Sequence, residues 1–131
     1  MFVSKTLRAM LGTTALMAVS ALPGFADTQL HILHINDFHS RIESISRFNS
    51  TCSAGDEAEG KCYGGAARLY TLVTQMRAAL EAEGHPVLLL DAGDASQGSL
   101  FYTTYGGRVE AELLERLGVD AMAVGNHEFD L

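Results

Sequence analysis

Basic residues are scarce in this sequence of 131 residues. Lysine and arginine number 9, against 16 aspartates and glutamates, and the formal charge is −7. A protein that binds DNA or RNA needs a clustered basic surface for the phosphate backbone, so we expect no nucleic acid polymer as a partner. Small anionic ligands are not excluded, because a bound cation reverses the local sign of the charge.

Prolines and cysteines are also few, with only 2 of each. No low-complexity segment, linker or internal repeat follows Ala26. A hydrophobic content of 47%, with both charge signs interspersed, is typical of a globular domain rather than a disordered chain. The length therefore predicts one ordinary domain.

The N-terminal residues 1–26 have the pattern of a secretory signal peptide. Lys5 and Arg8 form a basic start, residues 9–22 carry no charge, and small residues precede a cleavage point after Ala26. The alternative is an uncleaved membrane anchor, but the apolar run is shorter than the ~20 residues that a spanning helix needs. We expect a periplasmic or secreted protein without stable membrane insertion. Cleavage would remove two positive charges and take the formal charge from −7 to −9.

Cys52 and Cys62 flank a polar loop and are the only cysteine pair. Because export leads to an oxidising compartment, we predict a disulfide between them. Closing such a loop stabilises a protein by roughly 3 kcal/mol in the chain-entropy model. A metal site is the less favoured alternative, since no histidine lies near and the spacing is not Cys-x-x-Cys. If the pair is reduced, the loop is a mobile surface segment.

Hydrophobic periodicity predicts strands that alternate with helices. The predicted elements are strand 29–36, helix 66–83, strand 87–90, helix 108–117 and strand 121–124. The first strand has apolar residues on both faces, which predicts burial on both sides. Its histidines, His31 and His34, are interpreted as hydrogen-bonded structural residues. Residues 37–65 are predicted to be a loop with one helical turn at 42–48, and residues 91–107 a second loop. The order indicates the α/β class with parallel crossovers.

Polar residues follow each of the three predicted strands. Asp37 and His39 follow the first, Asp94 the second, and Asn126 with His127 the third. Ligand sites of parallel sheets lie beyond the carboxyl ends of the strands, so these side chains are expected to converge. Asp37 and His39 would face one cation if their backbone is extended. The mixture of oxygen and imidazole donors suits zinc, manganese or iron.

His127 differs from the other candidates, because a catalytic histidine needs a partner that orients it. Asp130, three residues further on, provides a carboxylate if the segment turns as a helix does. His127 would then protonate a departing alkoxide as a general acid. Between them, Glu128 and Phe129 are interpreted as a salt-bridging residue and a packing residue.

Three motifs carry a resemblance to a known family. They are Ile35-Asn36-Asp37-Phe38-His39, Leu90-Asp91-Ala92-Gly93-Asp94 and Gly125-Asn126-His127-Glu128. In this order they resemble the calcineurin-like metallophosphoesterases. The stretches 64–69, 97–102 and 126–130 are similar to the secreted or periplasmic 5'-nucleotidases in particular. Many relatives outside the nucleotidases have an aspartate where Gln97 stands, which favours the nucleotidase branch.

The resemblance implies an α/β sandwich with two divalent metal ions (Zn, Mn or Fe). The implied ligands are Asp37 and His39 for the first ion, Asp94 as the bridge and Asn126 for the second. His127 and Asp130 are implied to be the catalytic pair beside the phosphate of a small-molecule nucleotide. A water activated by both ions would attack the phosphorus, which is hydrolysis without a protein nucleophile.

The resemblance also implies that residues 27–131 are the N-terminal portion of the metallophosphoesterase domain. The later histidine ligands and the C-terminal domain of the family have no counterpart in the sequence, so we expect the chain alone to be a truncated and inactive fragment. Alternatives within the fold are a cyclic-nucleotide phosphodiesterase, a nucleotide-sugar hydrolase and a thiosulfohydrolase. An alternative from another class is a secreted binding module without catalysis.

Overall fold

The computed structural model describes residues 27–130. The predicted signal segment, residues 1–26, and Leu131 lie outside the described residues. Five strands and four α-helices are described in this part of the chain, followed by a short 3₁₀ turn. In chain order they are β1 (His31–Ile35), β2 (Ile45–Ser46), α1 (Ala54–Ala58), β3 (Cys62–Tyr63), α2 (Ala66–Ala82), β4 (Val87–Asp91), α3 (Leu100–Tyr105), α4 (Arg108–Leu117), β5 (Ala121–Met122) and the 3₁₀ turn His127–Phe129.

A three-stranded parallel sheet organises the fold, in the order β1, β4, β5. Ile35 pairs with Asp91, and Asp91 pairs with Met122, so the carboxyl ends of all three strands lie at one edge. Helix α2 connects β1 to β4, and helices α3 and α4 connect β4 to β5. The predicted α/β class with parallel crossovers is confirmed.

The core lies between the sheet and the helices α2 and α4. Its buried members are Val73 of α2, Leu89 of β4, and Leu113 and Leu117 of α4. Val73, Leu113 and Leu117 are apolar residues at helical spacing that pack against the central strand, as the periodicity predicts. Helix α4 ends where Gly118 adopts a left-handed φ of 67°, which closes the last turn.

The prediction that β1 is buried on both sides is wrong. Leu30 is 50% and Ile32 54% exposed, while Leu33 packs against the core. Within residues 27–130 the helices cover one face of the sheet, so Leu30 and Ile32 on the other face remain exposed. Leu72 and Met76 of α2, which the periodicity turned inward, are also exposed.

The two histidines of β1 have different surroundings. The ring of His31 lies 4.7 Å from that of His85, and its Nε2 atom is buried without a hydrogen-bond partner in the described structure. His34 is exposed. The interpretation of His31 as structural therefore fits its packing, but the expected hydrogen bond at Nε2 is not found.

Residues 37–65 contain more structure than predicted. The helical turn expected at 42–48 is absent, and strand β2 lies there, paired antiparallel with β3. Helix α1 begins after Ser53, whose side chain accepts a hydrogen bond from the Asp56 main-chain N–H. These pairings depend on contacts between distant residues, so local periodicity gave no sign of them.

Two side-chain links tie this segment to the rest of the protein. The Glu57 carboxylate accepts hydrogen bonds from the Ser44 hydroxyl and the Arg68 guanidinium. The Ser44 hydrogen bond is the main cause that lowers the pKa of Glu57 below its ordinary value. A disulfide bond joins Cys52 to Cys62, with Cα atoms 5.9 Å apart.

Residues 91–107, predicted to be a loop, contain the short helix α3. Ser99 caps it by accepting a hydrogen bond from the main-chain N–H of Phe101, and Gly106 ends it with a left-handed φ of 58°. Within the described part of the chain, no helix combines the length and apolarity needed to cross a membrane.

Candidate active site

The loops that follow β1 and β4 are joined by main-chain hydrogen bonds. The N–H of Asp37 donates to the carbonyl of Gly93 at 2.9 Å, and the N–H of His39 donates to the carbonyl of Asp94 at 3.1 Å. The two strands thus continue to pair beyond their ends. Because of this pairing, the Asp-x-His motif lies directly beside Asp94.

The backbone at these residues is not extended, contrary to the prediction. Asp37, His39 and Asp94 have φ angles of 51°, 48° and 57°, in the left-handed region that non-glycine residues rarely occupy. Even so, the side chains of Asp37 and His39 are close, with Oδ1 3.7 Å from Nε2. Such conformations persist where surrounding contacts fix them, and they are typical of functional sites.

Two glycines allow the loops after β4 and β5 to touch. A Cβ atom on Gly125 would lie 2.1 Å from Oδ1 of Asp94, and one on Gly93 would lie 2.6 Å from the main-chain nitrogen of Gly125. Gly93 also has a φ of 98°, which side chains disfavour. The glycines of the Gly-Asp and Gly-Asn-His-Glu motifs are therefore required by the close approach of the main chains.

Three side chains meet at this edge of the sheet with the spacing of a metal centre. Ligand atoms of His39, Asp94 and His127 all lie within 4.8 Å of one another. Each of the three residues is partly buried. Imidazole and carboxylate donors suit a borderline divalent ion. The donor set therefore fits the divalent metal that the sequence predicts.

The other two predicted ligands lie beside this group. The Asp37 carboxylate is 57% exposed and also accepts a hydrogen bond from the Asn36 amide at 2.6 Å. Asn126 begins the 3₁₀ turn, and its exposed side chain does not cap that turn. The structure thus brings together His39, Asp94 and His127, which we call the metal group. It places Asp37 and Asn126 at the margins of this group.

His127 and Asp130 form a pair, as the predicted turn requires. The 3₁₀ turn brings Nδ1 of His127 to 2.6 Å from Oδ2 of Asp130. This hydrogen bond raises the pKa of His127 above its ordinary value, against the opposite effect of burial. The His127 ring also meets the ring of His39 edge-on, with centroids 5.1 Å apart. With Nδ1 bound to Asp130, Nε2 is the ring nitrogen left for a ligand or substrate.

Glu128 has a role that sequence reasoning missed. Instead of a salt bridge, its carboxylate accepts main-chain hydrogen bonds from Asp94 at 2.9 Å, Ser96 at 3.1 Å and Gly125 at 2.7 Å. Burial favours the neutral form, but these N–H groups and that of Ala95 outweigh it and lower the pKa of Glu128. The hydrogen-bond partners of Glu128 are up to 34 residues away in the sequence, so this role could not be predicted from the local sequence pattern.

Phe129 is the residue of the motif that contributes least to the site. Its side chain is 74% exposed, so the interpretation as a packing residue is wrong for the described structure. Phe38, by contrast, packs against the core beside the metal group.

Comparison with known proteins agrees with this geometry. Residues 30–131 match the family model described as calcineurin-like phosphoesterase. Over 117 residues the chain is 48% identical to the 5'-nucleotidase of Bos taurus, in an alignment that covers 88% of this chain and 19% of the bovine protein.

Solved structures show the same likeness. The 5'-nucleotidase precursor from Thermus thermophilus matches with a TM-score of 0.59 and 36% identity, covering 77% of this chain and 18% of that protein. The sulfate thiohydrolase of the same organism matches with a TM-score of 0.60 at 20% identity, over 74% of this chain and 25% of that one, which shows a common fold alone. The chain spans about a fifth of the length of the curated relatives it matches.

Proposed function

Because this chain belongs to the calcineurin-like phosphoesterase family, we propose that its protein hydrolyses nucleotide phosphate esters as a metal-dependent 5'-nucleotidase. The observation that carries the proposal is the convergence of His39, Asp94 and His127 on one point. The identity to the bovine 5'-nucleotidase supports a small-molecule nucleotide as the substrate.

The proposed ligands belong to two divalent ions, with zinc, manganese and iron as the candidates. Asp37 and His39 would hold the first ion, Asn126 would hold the second, and Asp94 would contact both. When bound, the ions supply an activated water and neutralise charge that grows on the phosphate oxygens. Hydrogen bonds at the main-chain N–H and carbonyl of Asp94 hold its backbone in the position from which the carboxylate would bind metal.

The proposed role of His127 is to deliver a proton to the leaving group. Asp130 binds Nδ1, which leaves Nε2 as the ring nitrogen that would donate the proton. The hydrogen bond to Asp130 raises the pKa of His127, which is the direction that favours a general acid. Such a pair suits the departure of a nucleoside alkoxide, which is a poor leaving group without a proton.

Export of the protein after cleavage behind Ala26 remains part of this proposal. Acyclic monophosphates are the favoured substrates, and cyclic nucleotides and nucleotide sugars are the alternatives to be compared with them. A secreted binding module without catalysis would not require Asp94 to lie beside a hydrogen-bonded pair of His127 and Asp130. The likeness to the sulfate thiohydrolase concerns the fold and adds no support for that reaction.

The test is an assay of the full-length gene product with AMP and Mn²⁺ or Zn²⁺. Chelation should abolish hydrolysis and added metal should restore it. Asp94→Ala should lower kcat/KM by orders of magnitude, because it removes the bridge between the ions. Isothermal titration of the metal-free protein should count two ions for the wild type.

A matched control is Glu112→Ala on helix α4. Glu112 is an exposed acidic residue paired with Arg116, so its loss should leave hydrolysis and metal binding unchanged. Full activity in excess chelator, or in the Asp94→Ala variant, would overturn the two-metal mechanism.

A further inference from the structure

Asp130 makes two hydrogen bonds in addition to its contact with His127. Its Oδ2 atom lies 2.9 Å from the side-chain nitrogen of Gln97, in addition to the contact of 2.6 Å with Nδ1 of His127. Its main-chain carbonyl accepts a hydrogen bond from the hydroxyl of Tyr102 on helix α3. Both the carboxylate and the backbone of Asp130 are thus fixed by the segment between β4 and α4.

Gln97 reaches Asp130 because of the shape of the loop after β4. Its φ is 68°, and the next residue, Gly98, lies against His39, where a Cβ atom would approach the His39 carbonyl oxygen to 2.9 Å. The loop therefore runs close under the metal group and turns the Gln97 side chain toward the 3₁₀ turn. Contact across 33 residues of sequence makes this a tertiary constraint on Asp130.

We propose that Gln97 is a positioning residue, which orients the Asp130 carboxylate so that Asp130 directs His127 toward the substrate. The inference rests on the proposed function, since it assigns a task to the His127 and Asp130 pair. An ionised carboxylate oxygen accepts two hydrogen bonds, so Gln97 and His127 bind Oδ2 together. With Gln97 in place, rotation of the carboxylate away from the imidazole breaks two hydrogen bonds.

The amide is chemically suited to this task. It donates a hydrogen bond without adding a charge, so it would not compete with Asp94 or His39 for a cation. A glutamate at position 97 would have nearly the same shape but would place a second carboxylate beside Asp130, and like charges at this distance repel. A methionine would keep the length of the side chain and lose the donor.

The test compares Gln97→Met and Gln97→Glu in the full-length gene product with two substrates. AMP has an alkoxide leaving group that needs a proton, whereas the nitrophenolate of p-nitrophenyl phosphate departs without one. For AMP we expect kcat to fall about 10- to 100-fold, the range typical of lost outer hydrogen bonds at such sites. For p-nitrophenyl phosphate we expect little change, and Mn²⁺ affinity should stay at the wild-type value.

A double-mutant cycle with Asp130→Ala distinguishes a positioning role of Gln97 from a merely structural role. If Gln97 acts through Asp130, Gln97→Met should have no further effect on kcat once Asp130 is removed. The matched control is Gln75→Met on helix α2. Gln75 is exposed, so its loss should leave kcat unchanged for both substrates. Circular dichroism of each variant checks that the fold is retained, and the nearly isosteric glutamate provides a second variant if methionine disturbs it.

The outcomes separate the two proposals. Three results would overturn the positioning role in an enzyme whose wild type hydrolyses AMP. They are an equal loss of activity toward both substrates in the Gln97 variants, a loss of Mn²⁺ affinity, and effects on kcat that add to those of Asp130→Ala. If the wild type hydrolyses neither ester in the presence of metal, the proposed function fails first. In that case the ¹H shift of the His127 Nδ1 proton still tests the link, because it should change in Gln97→Met and stay the same in Gln75→Met.

Discussion

The main-chain N–H of Asp94 donates a hydrogen bond to the carboxylate of Glu128 over 2.9 Å, across 34 residues of sequence. The same Glu128 oxygen accepts a hydrogen bond from the N–H of Gly125 at 2.7 Å. One carboxylate therefore ties the loop that carries Asp94 to the loop that carries His127 and Asp130. These hydrogen bonds hold the two loops in fixed positions relative to each other.

Glu128→Gln should loosen this connection. The substituted amide keeps one acceptor oxygen but turns an NH₂ group toward a main-chain N–H, so at least one hydrogen bond is lost. Leaving such a donor without a partner costs about 1–3 kcal/mol. We expect a lower Tm and weaker Mn²⁺ binding, measured by thermal unfolding and isothermal titration. Glu115→Gln, an exposed change on α4, is the control, and a variant indistinguishable from it would contradict the assigned role.

Acid should remove the same contribution. The pKa of Glu128 is lowered in the folded protein, so its stabilisation is present above the unfolded pKa of about 4.3. It is lost as the pH falls through the folded value. In chelated protein, the Tm difference between wild type and Glu128→Gln should shrink below about pH 4. A difference that is constant with pH would contradict this account.

Gly125→Ala should displace Asp94, the proposed bridging ligand. The added methyl group would lie 2.1 Å from Oδ1 of Asp94, which neither loop accommodates without moving. We expect a clear loss of Mn²⁺ affinity and a lower Tm. Gly55→Ala is the matched control, since its Cβ would meet only Oγ of Ser53 at 3.8 Å. Equal behaviour of the two variants would mean that the close approach at Gly125 is not needed.

The elements that local pattern determines were predicted well. Helix α4 spans Arg108–Leu117 as the periodicity indicates, and α2 ends one residue before the predicted position. The short apolar run of β4 is the central strand. In these segments the spacing of apolar residues follows from contact with a single core, so sequence alone carries the information.

What depends on distant contacts was predicted poorly. Whether Ile32 is covered depends on which face of the sheet other elements occupy. The left-handed backbone of Asp37 and His39 is imposed by hydrogen bonds to the neighbouring loop. Glu128 was assigned a salt bridge because a glutamate offers that role locally. Candidate ligands were recognisable as residue types, but the contacts that orient them are properties of the fold.

Asp91→Asn should stabilise the protein at neutral pH. The side chain is 3% exposed, and Oδ2 has no hydrogen-bond partner in the described structure, while Oδ1 accepts the Gly93 N–H at 2.9 Å. Burial raises the pKa of Asp91, and the charges of Glu128 and Asp37 add to the effect, against the opposing hydrogen bond of Gly93. Asparagine keeps the acceptor for Gly93 and removes the buried charge.

The sign of this pH dependence is opposite to that at Glu128. A carboxyl group whose pKa is raised by folding makes its full contribution to stability below the unfolded pKa of about 3.9. That contribution is lost as the pH rises through the folded pKa. In chelated protein, the Tm of Asp91→Asn should exceed that of wild type at pH 7, and the two should converge near pH 4. A wild type that is more stable than the variant at pH 7 would contradict the prediction.

The disulfide between Cys52 and Cys62 should stabilise the segment between β2 and β3. It closes a loop with a sequence separation of 10, for which the chain-entropy model gives roughly 3 kcal/mol. Mass spectrometry of non-reduced exported protein should find no free thiol, and the double serine variant should have a lower Tm and faster proteolysis within residues 53–61. Reductant should affect the wild type and leave the serine variant unchanged, which assigns the effect to this bond. Two free thiols in the exported protein would remove the disulfide, and the hydrogen bonds of Glu57 to Ser44 and Arg68 would then be the links that hold the segment.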